Sequence, residues 1–348
     1  MKKLAFSLLS MLGIATYAQN TVTMLHHAGT VTPHYGNSGF VDAYNASVNG
    51  DTIYLPGKYF GPPSVINKRL TIIGTGHFPD STSATGITYI QSSITLGENA
   101  DSTHIEGLYI NGHIAIQNNS APNKILIRRN YVNGYINFSG DRTTNPVIDA
   151  RVIENIIGSN VHGENTYHLI VANNIINNII SGVHNGTILN NIIFGDAWAG
   201  YPYDNYYAFN DCNNTLIENN ILTGTNSNGG TAGLINSTNN TFNNNVFCRN
   251  QNFGANTISG NHLSQDYAQL FVSAATKGFS YQYNFQLQNP GNYTGTDATQ
   301  VGIYGGLLGA AKTASVPMNP HIYHKAISNT TNPNGTLNIN VKVKAQTK

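Results

Sequence analysis

An all-β solenoid, wound as a column of parallel coils, is the fold class that this sequence predicts. The first observation is a six-residue phrase, apolar-x-x-Asn-x-apolar, which occurs around Asn130 as Ile127-Arg128-Arg129-Asn130-Tyr131-Val132 and returns around Asn155, Asn174, Asn191, Asn220 and Asn245. The second is its spacing: counted from Leu108, which holds the Asn position in an earlier copy, successive steps are 22, 25, 19, 17, 29 and 25 residues. A fixed phrase at variable intervals keeps strands and corners constant and confines length variation to loops. One coil cannot bury its own apolar face, so the coils must stack.

Stacked coils pair in parallel about 4.8 Å apart, which brings the six asparagines into one column. Amides can pass hydrogen bonds along such a column, and Asn tolerates the left-handed backbone of a sharp corner. The expectation is therefore an Asn ladder that serves the backbone. A leucine-rich repeat would need Leu where this chain has Ile, Val and Asn.

The elements follow in order. Residues 1–19 combine Lys2 and Lys3 with an apolar run and the small-residue approach Ala15-Thr16-Tyr17-Ala18. That pattern predicts a Sec-type signal peptide and a secreted or cell-surface protein. No later stretch is apolar for long enough to span a bilayer, and a monomer is expected. Residues 20–49 are assigned to a strand and a capping helix, because Phe40, Tyr44 and Val48 recur at helical spacing. A helix over the open end of a solenoid hides its first apolar layer. Residues 50–306 form the repeat domain and 307–348 a tail, in which Leu337, Ile339, Val341 and Val343 alternate with polar residues. This alternation predicts a strand with one buried face, lying along the solenoid or closing its end.

Within each coil a further strand should precede the Asn phrase, in the slots 113–117, 135–139, 160–164, 206–210 and 231–236. Alternation then turns Ile114, Ile116, Ile136, Phe138 and Val161 inward and His113, Ala115, Asn137 and His162 outward. The residues that follow the ladder, Tyr131, Ile156, Ile175, Ile192, Ile221 and Val246, make an outward stripe if their apolar successors face the core. An aliphatic stripe on the outside requires a cover, either the C-terminal segment or a partner.

The opening of the repeat domain, Gly50-Asp51-Thr52-Ile53-Tyr54-Leu55-Pro56-Gly57-Lys58-Tyr59 followed by Lys68-Arg69-Leu70-Thr71-Ile72-Ile73-Gly74, resembles the first coil of the pectate-lyase-like β-helix superfamily. Residues 289–306, with Val301-Gly302-Ile303-Tyr304-Gly305-Gly306, resemble the closing coil of secreted bacterial members, although Asn289 stands where Ser is usual. The resemblance implies a right-handed, single-stranded parallel β-helix. Its members include lyases, hydrolases, esterases, epimerases and adhesins, so it implies no single activity.

Charged residues make up only 9% of the chain and the net charge is +1, which argues against a nucleic-acid partner. A neutral surface rich in Asn, Gly, Thr and Tyr suits a polysaccharide or cell-surface glycan. The leading expectation is a polysaccharide-binding protein with lyase-type cleavage as its enzymatic form, and the rival is a non-catalytic adhesion module. A lyase would neutralise a substrate carboxylate with Ca²⁺ or Arg and place a base beside it. Arg142, His113 and His162 are the catalytic candidates, and Asp196, Asp204 and Asp211 the oxygen ligands for calcium. Trp198, Tyr201, Tyr203 and Tyr207, in the aromatic insertion 195–213, together with Asn137, are the candidates to stack on sugar rings and bond hydroxyls. A hydrolase needs paired carboxylates, but Glu164, Asp196, Asp204 and Asp211 are too scattered in sequence to assign a pair. Arg129 aligns with Glu154 of the next coil, which predicts an exposed structural ion pair contributing under roughly 1 kcal/mol. Cys212 and Cys248, the only cysteines, have the option of a bridge in an oxidising compartment.

Overall fold

The computed structural model describes residues 21–139, 145–195, 208–224, 236–308 and 315–345. Three parallel stacks run the length of the molecule. Strands such as Leu126–Arg128, Arg151–Ile153 and Ile170–Ala172 belong to a twelve-stranded sheet, Tyr131–Val132 and Ile156–Ile157 to a nine-stranded sheet, and Ile136–Asn137 and Val161–His162 to a six-stranded sheet. The chain visits the sheets in that order and then starts the next coil, which makes the fold a parallel β-helix. Strands of two or three residues suffice because each face of a coil is narrow, and Ile, Val and Thr fill them as β-branched residues do.

Register is set by the alternation. Ile127 pairs with Ile105 and Val152, Ile136 with Ile114 and Val161, and Val132 with Ile110 and Ile157, and all of these side chains are buried. Each contributes about 1.5–3 kcal/mol by leaving water. The described strands Ile114–Ile116, Ile136–Asn137, Val161–His162 and Phe209–Asn210 fall in the expected slots, and Ile180–Ser181 adds one. Of the slot 231–236, only residue 236 lies among the described residues.

At the corner between the twelve- and nine-stranded sheets the asparagines bond one another. Asn130 Nδ2 donates to Asn155 Oδ1 at 3.2 Å, Asn155 to Asn174 at 3.0 Å, Asn174 to Asn191 at 3.0 Å, Asn191 to Asn220 at 2.9 Å and Asn220 to Asn245 at 3.0 Å. Asn261 adds a seventh member, accepting from Asn245 Nδ2 at 3.0 Å. The left-handed backbone does not fall on these asparagines. It falls one residue earlier, at Gly107, Arg129, Glu154, Asn173, Asn190, Asn219, Asn244 and Gly260. The corner thus has two columns, one of buried amides and one of left-handed residues.

The chain returns along this corner. Buried Ile156, Ile175, Ile192, Ile221 and Val246 form a second apolar cluster with Phe271, Phe285, Leu287, Val301 and Ile303, so the stripe's cover is the C-terminal segment. Side chains of the left-handed column hold it: Asn244 Nδ2 donates to Thr294 O (3.0 Å), Asn219 Oδ1 accepts from Thr296 N (2.9 Å) and Asn173 Nδ2 donates to Gly305 O (3.0 Å). Further along, Glu106 Oε1 accepts from Met318 N at 2.8 Å. Residues 289–306 therefore supply no strand to the three sheets, which end at Thr257–Ser259. They lie on the outside because their apolar residues match the stripe.

Two other expectations change. Arg129 and Glu154 are buried, with Arg129 Nε 2.9 Å and Arg128 Nε 2.5 Å from Glu154 Oε2. The returning chain causes this burial, since Val316 O accepts from Arg129 Nη1. The tail strand Ile339–Lys344 pairs antiparallel with His321–Ile327, and all its residues are exposed, so it buries no face.

At the other end, Val22–His27 pairs antiparallel with Thr52–Tyr54 and with Thr30–Tyr35, which is exposed and carries Pro33, both obstacles to further pairing. Helix Gly39–Ala46 places Phe40 and Ala43 in the main core. Val48 is half exposed, because the backbone turns extended at Ser47. Cys212 is buried in the main core and Cys248 packs against the second cluster, and both are free thiols.

Candidate functional site

The six-stranded sheet presents its outward residues in register: Ala115, Asn137, His162, Ser181 and Asn210 follow one another from coil to coil. Where this sheet turns back toward the twelve-stranded one, the loops are long and separate. The short strands Val147–Ile148 and Thr166–Tyr167 pair there. Beside them opens a cleft of about 280 Å³ lined by Glu164, Asn165, Tyr167, His184 and Asp211, with Asn145 and Pro146 at its rim. Tyr167 is about half exposed and offers an aromatic face.

The hydrogen bonds next to the cleft have a direction. Asn160 Oδ1 accepts from Ile179 N (3.3 Å), so its Nδ2 faces His162 Nε2 (3.3 Å) and can only donate to it. His162 Nδ1 then carries the proton and donates to Ser181 Oγ at 2.9 Å, whose own proton goes to Glu164 Oε1 at 2.6 Å. Ser181 is thus a bridge from imidazole to carboxylate, and the relay does not activate it as a nucleophile. Burial opposes ionisation of Glu164, but the neighbouring His162 ring and the hydrogen bond from Ser181 outweigh it and hold the carboxyl below its ordinary range. Glu164 is an anion at neutral pH. Its Oε2 is buried and has no described partner. Gly182 makes this placement possible, since a Cβ there would lie 2.4 Å from Glu164 Cγ and 2.6 Å from its backbone N.

Across the cleft, His184 Nε2 donates to Asp211 O at 2.9 Å. The ring's lone pair is then on Nδ1, which has no partner among the described residues. Asp211 Oδ2 lies 3.6 Å from His184 Nε2, and Asp211 Oδ1 accepts from Asn213 Nδ2 at 3.0 Å. Asp211 itself has left-handed backbone. The cleft thus brings together an ionised carboxylate, a second carboxylate, an imidazole with a free basic nitrogen and an exposed tyrosine.

The sequence candidates distribute unevenly. Asp211 lines the cleft and His162 adjoins it through Ser181 and Glu164. Asn137 lies one coil before His162, and its Oδ1 is occupied by Ser139 N and Oγ. His113 stacks on Tyr135 with ring centroids 3.6 Å apart, and its Nδ1 accepts from Tyr135 N at 3.1 Å. Burial pushes its pKa down, so His113 is a neutral, packed ring without a free lone pair. Arg142, Trp198, Tyr201, Tyr203, Tyr207, Asp196 and Asp204 lie outside the described residues. Among the described residues no three of His, Cys, Asp and Glu converge as metal ligands. Tyr167 and His184 are the residues that sequence reasoning missed, and Glu164, weighed there only as one of four scattered carboxylates, was assigned no role. Compared with protein-family models, curated proteins and solved structures, the chain matches none.

Proposed function

We propose that this chain is a secreted or cell-surface protein that binds a polysaccharide in the cleft between Glu164, Tyr167, His184 and Asp211. The observation that carries the reading is the combination of an exposed aromatic ring with convergent carboxylate, amide and imidazole groups in an open cleft. Sugar rings present apolar faces to a ring such as Tyr167 and hydroxyls to groups such as Asn165 and Asp211. The described charges of the lining are the carboxylates of Glu164 and Asp211, which favour a glycan without carboxylates over a uronate. The resemblance to pectate-lyase-like proteins accords with a glycan ligand. It does not specify which one.

The chemistry the cleft can add is base catalysis. His184 Nδ1 has no partner among the described residues, and Glu164 is already ionised. Glu164, held ionised, is not the protonated carboxyl that a general acid requires. That favours binding as the primary role.

The test is titration of the full chain with a panel of neutral, amine-bearing and uronate glycans, with and without calcium. Unsaturated products and reducing ends are followed in parallel. Tyr167→Ala and Glu164→Gln should each weaken binding at least tenfold without changing the circular dichroism spectrum. Absence of binding to every glycan overturns the reading, and binding without product identifies a non-catalytic module.

A further inference from the structure

Among the described residues, the hairpin of His321–Ile327 and Ile339–Lys344 pairs with no other strand. A two-stranded sheet on its own is marginally stable in water, so it stands to gain from a surface that covers it. Register sorts its side chains by face. Ile327 lies opposite Ile339, Lys325 opposite Val341 and Ile322 opposite Val343, while His324 lies opposite Lys342 and His321 opposite Lys344. One face is thus aliphatic apart from Lys325, and the other is basic and polar. Ile327, Leu337, Ile339, Val341 and Val343 are all exposed, Ile339 at 61%.

The charge of the segment is one-sided. After Asp297 the chain has no Asp or Glu, yet it carries five of its 17 Lys and Arg residues, at Lys312, Lys325, Lys342, Lys344 and Lys348. All 16 acidic residues precede it. Such an asymmetry points to an anionic partner.

We propose that this hairpin seats the protein on an anionic lipid surface. The aliphatic row enters the boundary between headgroups and acyl chains, Lys325 on the same face reaches the headgroup phosphates along its flexible stem, and Lys342 and Lys344 on the other face add attraction from within about a Debye length of the surface. Size decides against a protein partner as occupant. A two-strand face of this length covers on the order of 200 Å², against about 800 Å² per partner in a stable protein interface. A bilayer needs no such matched area, since each inserted side chain contributes separately. A soluble acidic polymer would leave the aliphatic row uncovered.

The test is co-sedimentation of the full chain with vesicles of phosphatidylcholine and phosphatidylglycerol at 3:1, and with phosphatidylcholine alone. Binding is expected only to the mixed vesicles and should fall as salt is raised. Each lysine near a charged surface is worth about a fivefold change in partitioning, so Lys342→Gln with Lys344→Gln should weaken binding by about 25-fold. Ile339→Asn with Val341→Asn should weaken it comparably, and because these residues are exposed the β-helix spectrum should not change. Equal binding to both vesicle types, loss of neither variant's affinity, or a dimer in light scattering that the Asn variants abolish would overturn the proposal. So would binding to a soluble polyanion that the Asn variants do not alter.

Discussion

Replacing Asn174 by Ala isolates what the amide column contributes. Asn174 Oδ1 accepts from Asn155 N at 2.8 Å and from Asn155 Nδ2 at 3.0 Å, while its Nδ2 donates to Val152 O at 2.8 Å and to Asn191 Oδ1 at 3.0 Å. The side chain is fully buried, so no water replaces it. Asn191 Oδ1 still accepts from Asn174 N, and Asn155 Nδ2 keeps Ile127 O. The group left without a partner is the amide of Asn155, and Val152 O loses a donor. One orphaned buried donor costs about 1–3 kcal/mol. With the weakened carbonyl and the small cavity the loss should be roughly 3 kcal/mol, a large part of the 5–15 kcal/mol typical of a domain. Asn173→Gly is the matched comparison, because position 173 has left-handed backbone that glycine adopts freely. That relief offsets the two bonds lost to Ile303 O and Gly305 O, so a change within about 1 kcal/mol is expected. Repeat proteins can unfold in parts, so urea unfolding should be read together with hydrogen exchange at the Asn155 amide. If Asn174→Ala costs less than about 1 kcal/mol, or no more than Asn173→Gly, the column does not stabilise the corner as argued.

Ile192→Ala, beneath the returning chain, should cost about 2–5 kcal/mol and speed proteolysis within residues 267–304, which limited digestion with mass analysis would show. Burial lowers the pKa of His77 to about 3 from 6.5, so the unfolded chain binds more protons between these values. Stability from His77 is complete above pH 6.5 and is lost as pH falls through that window, at up to about 1.4 kcal/mol per unit. Urea midpoints at pH 6.5 and 5.5, above the range of ordinary carboxylates, should differ more in the native chain than in His77→Phe, where the lowered His113 and His321 still contribute. Gly182→Ala should displace Glu164 and weaken glycan binding as much as Glu164→Gln does, while thermal stability drops, which calorimetry and the same titration would measure.

The fold was legible because its signal repeats. A six-residue phrase returning six times carries more information than any one helix or strand, and the alternation at Ile114, Ile136 and Val161 fixed which side chains face in. The seventh copy, Ile258-Ser259-Gly260-Asn261-His262-Leu263, obeys the same phrase, but polar His262 follows the Asn where the others have an apolar residue or tyrosine. The cover over Ile156 to Val246 was legible as a need, though not in its course. A single apolar stripe does not say which later segment matches it, and residues 289–306 read as one more coil because Val301-Gly302-Ile303-Tyr304-Gly305-Gly306 resembles the closing phrase of β-helix proteins. Burial of Arg129 and Glu154 was invisible for the same reason, since it depends on Val316, 187 residues away. Glu164 and Asp211 were legible only as scattered carboxylates, and His184 not at all, because no local spacing joins the three. Three successive coils bring them to one corner, and loop lengths that differ from coil to coil hide that alignment.

The three corners of each coil are not equivalent, and the difference explains where a site can form. The corner between the twelve- and nine-stranded sheets is closed on both sides, by amides within and by the returning chain without, so an inserted residue there would break hydrogen bonds on two layers. At the next corner, between the nine- and six-stranded sheets, coils approach closely at Gly134 and Gly158, where a Cβ would meet His113 Nδ1 at 2.0 Å and Asn133 O at 2.3 Å. The corner from the six-stranded sheet back to the twelve-stranded sheet is less uniform: coils approach closely at Gly182, yet the stretches between the two sheets vary from coil to coil. Its loops differ in length, and it is there that the short strands Val147–Ile148 and Thr166–Tyr167 and the cleft lie. A rigid scaffold with one permissive edge concentrates both variation and polar side chains on that edge. Glu164 and Asp211 therefore line the cleft at this corner, away from the one that the returning chain covers.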